Sequence, residues 1–186
     1  IDHGQAHDAL SDVRATIALA RLIREKQPKL YDYLFQLRSK QRVQEQIRLM
    51  QPLVHISGRF SAARSYLGVV LPLAWHPHNR NALIVCDLHQ DPAPLLEQDA
   101  DTLRQRLYTR RDDLADGELP VPLKLLHINR CPVVAPLNVL RAEDQQRLQL
   151  DMAQYQARAQ QLTDAQELWQ DKVKAVYGRE NFTPSE

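Results

Sequence analysis

The chain has 186 residues, enough for one or two domains with a buried core. Charged residues make up 25% and hydrophobic residues 44%, which excludes a disordered tail, a collagen-like chain and a coiled-coil rod. The net charge of +1 gives no global field that would attract nucleic acid, and the longest apolar stretches are less than half of a membrane-spanning helix.

The number of cysteines and the sequence of the N-terminus indicate in which cellular compartment the protein resides. Cys86 and Cys131 cannot build a disulfide framework and suit a reducing cytosol, so we predict a cytoplasmic protein without a membrane partner. The N-terminus has no basic region followed by an apolar run, so we expect no secretory signal. Because the chain begins with Ile1 and not with Met, we expect it to be part of a longer protein.

The predicted elements follow from apolar spacing and from the positions of proline. The three-four spacing of apolar residues predicts helices over 8–26, 29–49 and 142–177, and a short helix over 99–108. Short Val-, Leu- and Ile-rich runs bounded by turn residues predict strands over 53–56, 66–70, 82–88 and 124–128. Crossover helices between these strands are absent, which favours an α+β fold with a small closed antiparallel sheet flanked by helices.

A histidine and an aspartate stand near the start of the first predicted helix. If His7 lies just before that helix and Asp12 lies in its first turns, both side chains can point into one cleft. Such a pair suits metal-assisted hydrolysis, with Asp12 holding a divalent cation and His7 taking a proton from water. The alternative is a capping pair at a surface helix.

The wider sequence carries a family resemblance. His7-Asp8-Ala9, followed by Asp12-Val13 and then Ala15-Thr16, resembles the last motif of the DnaQ-like DEDD-histidine 3′–5′ exonucleases. Nearly the whole chain is similar to the bacterial exodeoxyribonuclease I family, through the stretches 27–34, 52–58, 72–77, 79–82, 101–108 and 127–133.

This resemblance implies a domain plan and an activity. Residues 1–27 would end an RNase H-like exonuclease domain, 28–178 would form an SH3-like β-barrel domain with flanking helices, and 179–186 would begin a linker to a helical domain. The implied activity is the release of nucleotides from single-stranded DNA in the 3′ to 5′ direction with Mg²⁺, in DNA repair and recombination. His7 would be the general base and Asp12 a metal ligand. The other acidic ligands of the family have no counterpart here, so we expect this chain alone to be inactive.

The resemblance also implies two binding surfaces. For single-stranded DNA, the candidates lie on predicted turns with Phe60, Tyr66 and Trp75 interleaved: Arg59, Arg64, His76, Asn79 and Arg80. The alternative is that Trp75 and Phe60 belong to the core and that the arginines form a solvated rim.

For a protein partner, Tyr33 and Arg141 match positions that bind the acidic C-terminal tail of single-stranded-DNA-binding protein. Gln51 and Pro136 depart from the residues common there, and Tyr33 has the alternative of packing between helices.

Two other classes of protein compete with the nuclease interpretation. A stand-alone SH3-like module would bind DNA or a peptide without catalysis. A His-Asp-domain phosphohydrolase would use His3, His7 and Asp8, but that fold is all-helical and the strand region argues against it. His55 and His127 are expected to be inward or rim residues, and Cys86 a core residue.

Overall fold

The computed structural model describes residues 40–60, 66–130 and 132–178. The predicted helix over 8–26 and most of the one over 29–49 lie outside the described residues. The helices are α1 to α6 and the strands β1 to β5, and they run in the order α1 (Lys40–Gln46), β1 (Leu53–Ile56), β2 (Leu67–Trp75), β3 (Ala82–Asp87), α2 (Ala93–Glu97), α3 (Ala100–Leu107), β4 (Leu123–His127), β5 (Val133–Pro136), α4 (Ala142–Arg147), α5 (Met152–Asp164) and α6 (Gln166–Gly178). No described helix is both long and apolar enough to cross a membrane.

The five strands form one antiparallel sheet in the order β4-β3-β2-β1-β5. Together with the helices, this sheet confirms the predicted α+β class. The predicted short helix over 99–108 is also confirmed as α3. The Asp99 carboxylate accepts a hydrogen bond from the Thr102 amide and caps the first turn of this helix. Gly117, in the loop between α3 and β4, has a φ of 81°, a conformation that favours glycine.

The sheet separates two apolar clusters because alternate residues of a strand point to opposite faces. The larger cluster joins strand residues such as Val69 and Ile84 to the helices through Leu103, Trp169 and Val173. The smaller cluster lies on the other face and consists of Val43, Leu53, Phe60, Val70, Leu83, Val85, Leu126, Ile128 and Val134. Cys86 is fully buried in the larger cluster, as expected, and burial raises the pKa of its thiol.

The sheet curls around the smaller cluster. β1 and β4 are three strand spacings apart, about 14 Å in a flat sheet. The Nε2 atom of His55 on β1 nevertheless lies 2.8 Å from the Nζ atom of Lys124 on β4. Side chains can meet in this way only if the two strands approach each other across the concave face, as in a small barrel.

The predicted ends of one strand and one helix are wrong. β2 does not end at Val70 but continues to Trp75, because a register shift between Pro72 and Ala74 accommodates the proline in the strand. The helix over 29–49 ends at Gln46, and Met50, with a φ of 67°, occupies the turn before β1.

The helix over 142–177 is three helices, α4 to α6. Gln149 has a φ of 54°, and the Leu150 amide donates to the Gln145 carbonyl at 2.8 Å, a pattern that closes the end of α4. A second break occurs at Ala165, whose amide donates to the Leu162 carbonyl.

Candidate nucleic-acid interface

The turn between β2 and β3 is held by its own side chains. The His76 Nδ1 atom accepts hydrogen bonds from the backbone amides of His78 and Asn79, both at 3.0 Å. The Asn79 Oδ1 atom accepts from the Asn81 amide at 2.9 Å. Because these acceptors fix the backbone, the exposed side chains of Asn79 and Arg80 project from a defined turn.

The His76 ring also joins this turn to α6. Since Nδ1 accepts two amide protons, the neutral ring carries its proton on Nε2. The ring centroid lies 5.9 Å from that of Tyr177 near the end of α6. Burial raises the pKa of Tyr177, and the charge of Arg59 lowers it by a smaller amount.

The end of β4 lies beside this turn. His127 pairs with Ala82 at the start of β3, and the Ile128 amide donates to the Asn81 carbonyl at 2.9 Å. A further turn follows, in which the Arg130 amide donates to the His127 carbonyl. His127 is therefore half-buried between two turns that carry basic side chains.

The pKa of His127 is lowered by burial and by several basic side chains. Burial lowers the pKa of this imidazole first, and then Arg130, Lys124, His76 and Arg59 lower it in decreasing order. Three cations, Arg130, Lys124 and Arg59, and the His76 ring thus act on one imidazole. We call the surface formed by Arg59, His76, Asn79, Arg80, Lys124, His127 and Arg130 the basic face.

Three arginines of the basic face keep their charge exposed. The two ion pairs found among the described residues join Arg106 to Glu118 and Arg147 to Asp144, and neither involves Arg59, Arg80 or Arg130. Positive charge at Arg59, Arg80 and Arg130 is therefore exposed to solvent.

Phe60 is a core residue and not a platform for bases. It is 7% exposed, and its ring packs so tightly against Gly68 that a Cβ atom there would lie 2.7 Å from it. Trp75 is half-buried against the smaller cluster, and Tyr66 is half-buried against the larger one. The alternative that placed Phe60 in the core is confirmed, and Arg59 stays exposed beside it.

The structure brings part of the predicted DNA site together. Arg59 and His76 both act on His127, and Asn79 and Arg80 share the turn of His76. The predicted site residues that lie outside the described residues are His7, Asp12, Tyr33 and Arg64. Their assigned roles stay predictions.

Three members of the basic face were missed from the sequence. The sequence analysis gives no binding role to Lys124 or Arg130, and it expects His127 to be an inward or rim residue. A sequence signal does exist, since residues 46–86 and 119–142 contain no Asp or Glu at all. Every cation of the basic face lies in one of these two acid-free stretches.

Arg141, predicted to bind a protein tail, is exposed at the start of α4. Its backbone amide donates to the buried Asp144 carboxylate at 3.1 Å, and the Arg147 guanidinium donates to the other oxygen of that carboxylate. Asp144 therefore fixes the backbone that presents Arg141.

The described part of the chain offers no metal site. It contains no group of three or more His, Cys, Asp or Glu side chains placed to hold an ion. No chemical step through a metal can be derived from these residues.

Comparison with known proteins identifies relatives along the whole chain. The profile of a family described as the exonuclease I SH3-like domain matches residues 38–179. Exodeoxyribonuclease I of Escherichia coli strain K12 is 49% identical over 189 residues, which cover 100% of this chain and 39% of that protein.

Solved structures give the same relationship. E. coli exonuclease I in complex with a dA16 oligonucleotide matches with a TM-score of 0.80 and 46% identity, over 94% of this chain and 37% of that one. A structure of SSB/exonuclease I in complex with the inhibitor CFAM matches with a TM-score of 0.75 and 46% identity, over 92% and 36%. The chain thus spans less than two fifths of the length of these relatives.

Proposed function

Because the chain belongs to the exonuclease I SH3-like domain family, we propose that it binds single-stranded DNA through the basic face. The observation that carries this proposal is that Arg80 and Arg130 lie exposed on two adjoining turns, which the hydrogen bond from the Ile128 amide to the Asn81 carbonyl joins. Phosphates of a single strand are held by positive surfaces of this kind, and most of the affinity comes from the release of counterions.

The turn between β2 and β3 suits this role because it is rigid before DNA arrives. Its backbone is fixed by the acceptors of His76 and Asn79, so little conformational entropy is lost when Asn79 and Arg80 contact a strand. Trp75 and His76 are consecutive at the end of β2 and offer flat rings beside the cations. This combination favours single strands, whose bases are free to stack.

Paired arginine variants test the proposal. Arg59→Gln combined with Arg130→Gln should weaken binding of a fluorescent oligo-dT, and the slope of log affinity against log salt should fall by about 1.4, or about 0.7 per lost phosphate contact. Arg110→Gln combined with Arg111→Gln is the matched control, since both arginines are exposed in the loop after α3 and neither acts on His127. Equal salt slopes for the two double variants would contradict the assignment.

For the longer protein, we propose a 3′–5′ exodeoxyribonuclease that acts on single-stranded DNA in repair and recombination, in the cytoplasm. His7 would serve as general base and Asp12 as a ligand of Mg²⁺, as the family resemblance implies. Support comes from the relatives named above, which are exodeoxyribonucleases.

We further propose that this chain alone does not cut DNA. A two-metal centre needs several carboxylates, and Asp12 is the one that matches the family motif. Asp116-Gly117-Glu118 has the spelling of the Asp-x-Glu motif, but it lies in a turn after α3 where Glu118 pairs with Arg106. It is therefore engaged in loop structure and does not follow a strand.

A nuclease assay tests this absence of activity. The purified chain with Mg²⁺ should leave a 5′-labelled single strand at full length. A His7→Ala, Asp12→Asn double variant, purified in parallel, reports any contaminating nuclease. Shortening by the unmodified chain that disappears in the double variant would refute the proposal.

A second binding function is favoured by one observation. Arg141 is exposed at the start of α4 on backbone that Asp144 holds, and one of the matched structures is an SSB/exonuclease I structure. We propose that Arg141, with Tyr33, binds the carboxylate tail of single-stranded-DNA-binding protein. Arg141→Gln should weaken binding of a tail peptide, whereas Arg147→Gln, which removes a neighbouring charge, should not.

A further inference from the structure

The end of α6 packs against the turn between β2 and β3. The Tyr177 ring is 3% exposed, and its centroid lies 5.9 Å from that of His76, with the two ring planes inclined by 48°. A Cβ atom at Gly178 would lie 3.7 Å from the Pro77 Cγ atom and 3.8 Å from the His78 Nε2 atom, which are ordinary van der Waals distances. Two consecutive residues of α6 therefore adjoin three consecutive residues of this turn.

The turn depends on the orientation of the His76 ring. Its backbone is closed by the His76 amide, which donates to the Ala82 carbonyl at 2.9 Å, and by the Ala82 amide, which donates to the Asn79 carbonyl at 3.1 Å. Inside this closure, the His76 Nδ1 atom accepts from the amides of His78 and Asn79. Because the lone pair of this nitrogen lies in the plane of the ring, both hydrogen bonds are lost when the ring rotates.

The Tyr177 ring is placed to limit this rotation. Rings with centroids about 4.5–7 Å apart are in contact, so neither ring of this pair can turn freely. Burial raises the pKa of Tyr177, so its hydroxyl stays protonated and the ring acts by packing and not by charge. Trp169 and Val173, both fully buried, anchor α6 in the larger cluster, and Tyr177 is therefore held by a close-packed core.

The orientation of His76 bears on DNA because the same turn carries Asn79 and Arg80, both exposed. A turn that is ordered for only part of the time binds with an affinity reduced by that fraction. A residue of α6 that keeps the turn ordered thus contributes to affinity without touching the strand.

We propose that Tyr177 is a positioning residue for single-stranded DNA, which holds the His76 ring and thereby keeps the turn in the conformation that presents Asn79 and Arg80. This inference rests on the proposed DNA-binding function and deepens it, because it gives a part in binding to α6, which contributes no residue to the basic face. The ligand is the phosphodiester backbone that Arg80 contacts.

Binding of a fluorescent oligo-dT at several salt concentrations distinguishes positioning from contact. Tyr177→Leu should weaken binding about fivefold, as the net loss of one ordinary hydrogen bond in the turn would, and it should leave the salt slope unchanged because every cation is retained. Arg80→Gln, which removes a contact, should lower that slope by about 0.7. In the Arg80→Gln background, Tyr177→Leu should have a smaller effect than in the original chain.

Matched variants control for the loss of packing. Tyr177→Phe keeps the ring and should bind like the original chain. Val173→Ala removes buried methyl groups from the same helix and the same cluster, so it should destabilise the chain without weakening binding. Tyr177→Met fills more of the space of the ring with a flexible chain, and it gives the same test if Tyr177→Leu does not fold.

Amide hydrogen exchange, measured by NMR without DNA, reports the positioning directly. The amides of His78 and Asn79 should exchange faster in Tyr177→Leu than in the original chain, to about the extent seen in His76→Ala. Tyr177→Phe and Val173→Ala should keep the protection of these two amides.

Three results would overturn the inference. Unchanged affinity in both Tyr177→Leu and Tyr177→Met would show that binding does not depend on the ring. A lower salt slope in these variants would indicate a lost phosphate contact and not a looser turn. Equal weakening by Val173→Ala would show a general effect of packing.

The design separates this inference from the proposed function. If the unmodified chain does not bind oligo-dT, the proposed function fails and this inference with it. If Arg59→Gln with Arg130→Gln weakens binding while Tyr177→Leu and Tyr177→Met do not, the basic face stands and the role of Tyr177 alone is refuted.

Discussion

Replacing His55 should change how the stability of the chain depends on acid. The native state keeps this imidazole neutral, with its pKa lowered from 6.5 to about 3 by burial and by Lys124. The unfolded chain takes up the proton near pH 6.5, so the unfolded state binds more protons than the native state between these two values. The stability contributed by neutral His55 is therefore complete above pH 6.5 and is lost as the pH falls toward 3.

The size of this loss follows from the pKa difference. Each pH unit below 6.5 costs about 1.4 kcal/mol, so the chain should lose about 2 kcal/mol of unfolding free energy from this group at pH 5. The lowered pKa of Asp99 makes folding acid-sensitive at lower pH, whereas the lowered pKa of His127 acts in the same window, so the loss due to His55 is the difference from a variant without this imidazole. Such a loss is a large part of the stability of a typical domain.

Urea unfolding of the whole chain, followed by circular dichroism at pH 7 and pH 5, measures this difference. His55→Gln cannot titrate, so its stability should fall by about 2 kcal/mol less than that of the original chain over the same interval. Lys124→Met should give an intermediate fall, since removing the ammonium raises the pKa of His55. If the original chain and His55→Gln lose the same free energy, the ring is not buried and neutral as the structure has it.

Two further substitutions probe the supports of the basic face. Gly68→Ala should destabilise the chain by about 1–3 kcal/mol, because the new Cβ atom would lie 2.7 Å from the Phe60 ring, and Phe60→Leu should recover part of the loss in urea unfolding. Asp144→Ala should cost about 1–2 kcal/mol, because the Arg141 amide and the Arg147 guanidinium both lose their acceptor; equal midpoints for the variant and the original chain would refute this role.

Strands and short helices were predictable where the local sequence alone decides them. β1 was placed correctly from its apolar run between turn residues, and α3 from its apolar spacing. β5 was missed because only three residues separate Pro132 from Pro136, and Val133–Pro136 becomes a strand only by pairing with β1. The end of β2 was missed because Pro72 normally breaks a strand, and the register shift that accommodates it depends on β3.

The candidate site was predictable in its turns and not in its strands. Arg59, Asn79 and Arg80 follow strand ends, where exposed polar residues are expected to bind. Lys124 lies within a strand between apolar residues, and sequence spacing alone does not show that it meets His55 across the curled sheet. A contact of this kind depends on the curvature of the sheet, which is a property of the whole fold.

The near-zero net charge conceals how the charges are distributed. Residues 46–86 and 119–142 form the whole sheet apart from Asp87 at the end of β3, and they contain basic side chains but no Asp or Glu. The acidic residues of α2 to α6 and of the loop after α3 balance them on the helical side, where Asp99 and Asp144 cap helices. Because screening limits exposed charges to about 10 Å at ordinary ionic strength, a strand of DNA near the basic face experiences the local cations and not the total of +1. The net charge of separate segments therefore indicates the candidate interface, whereas the net charge of the whole chain does not.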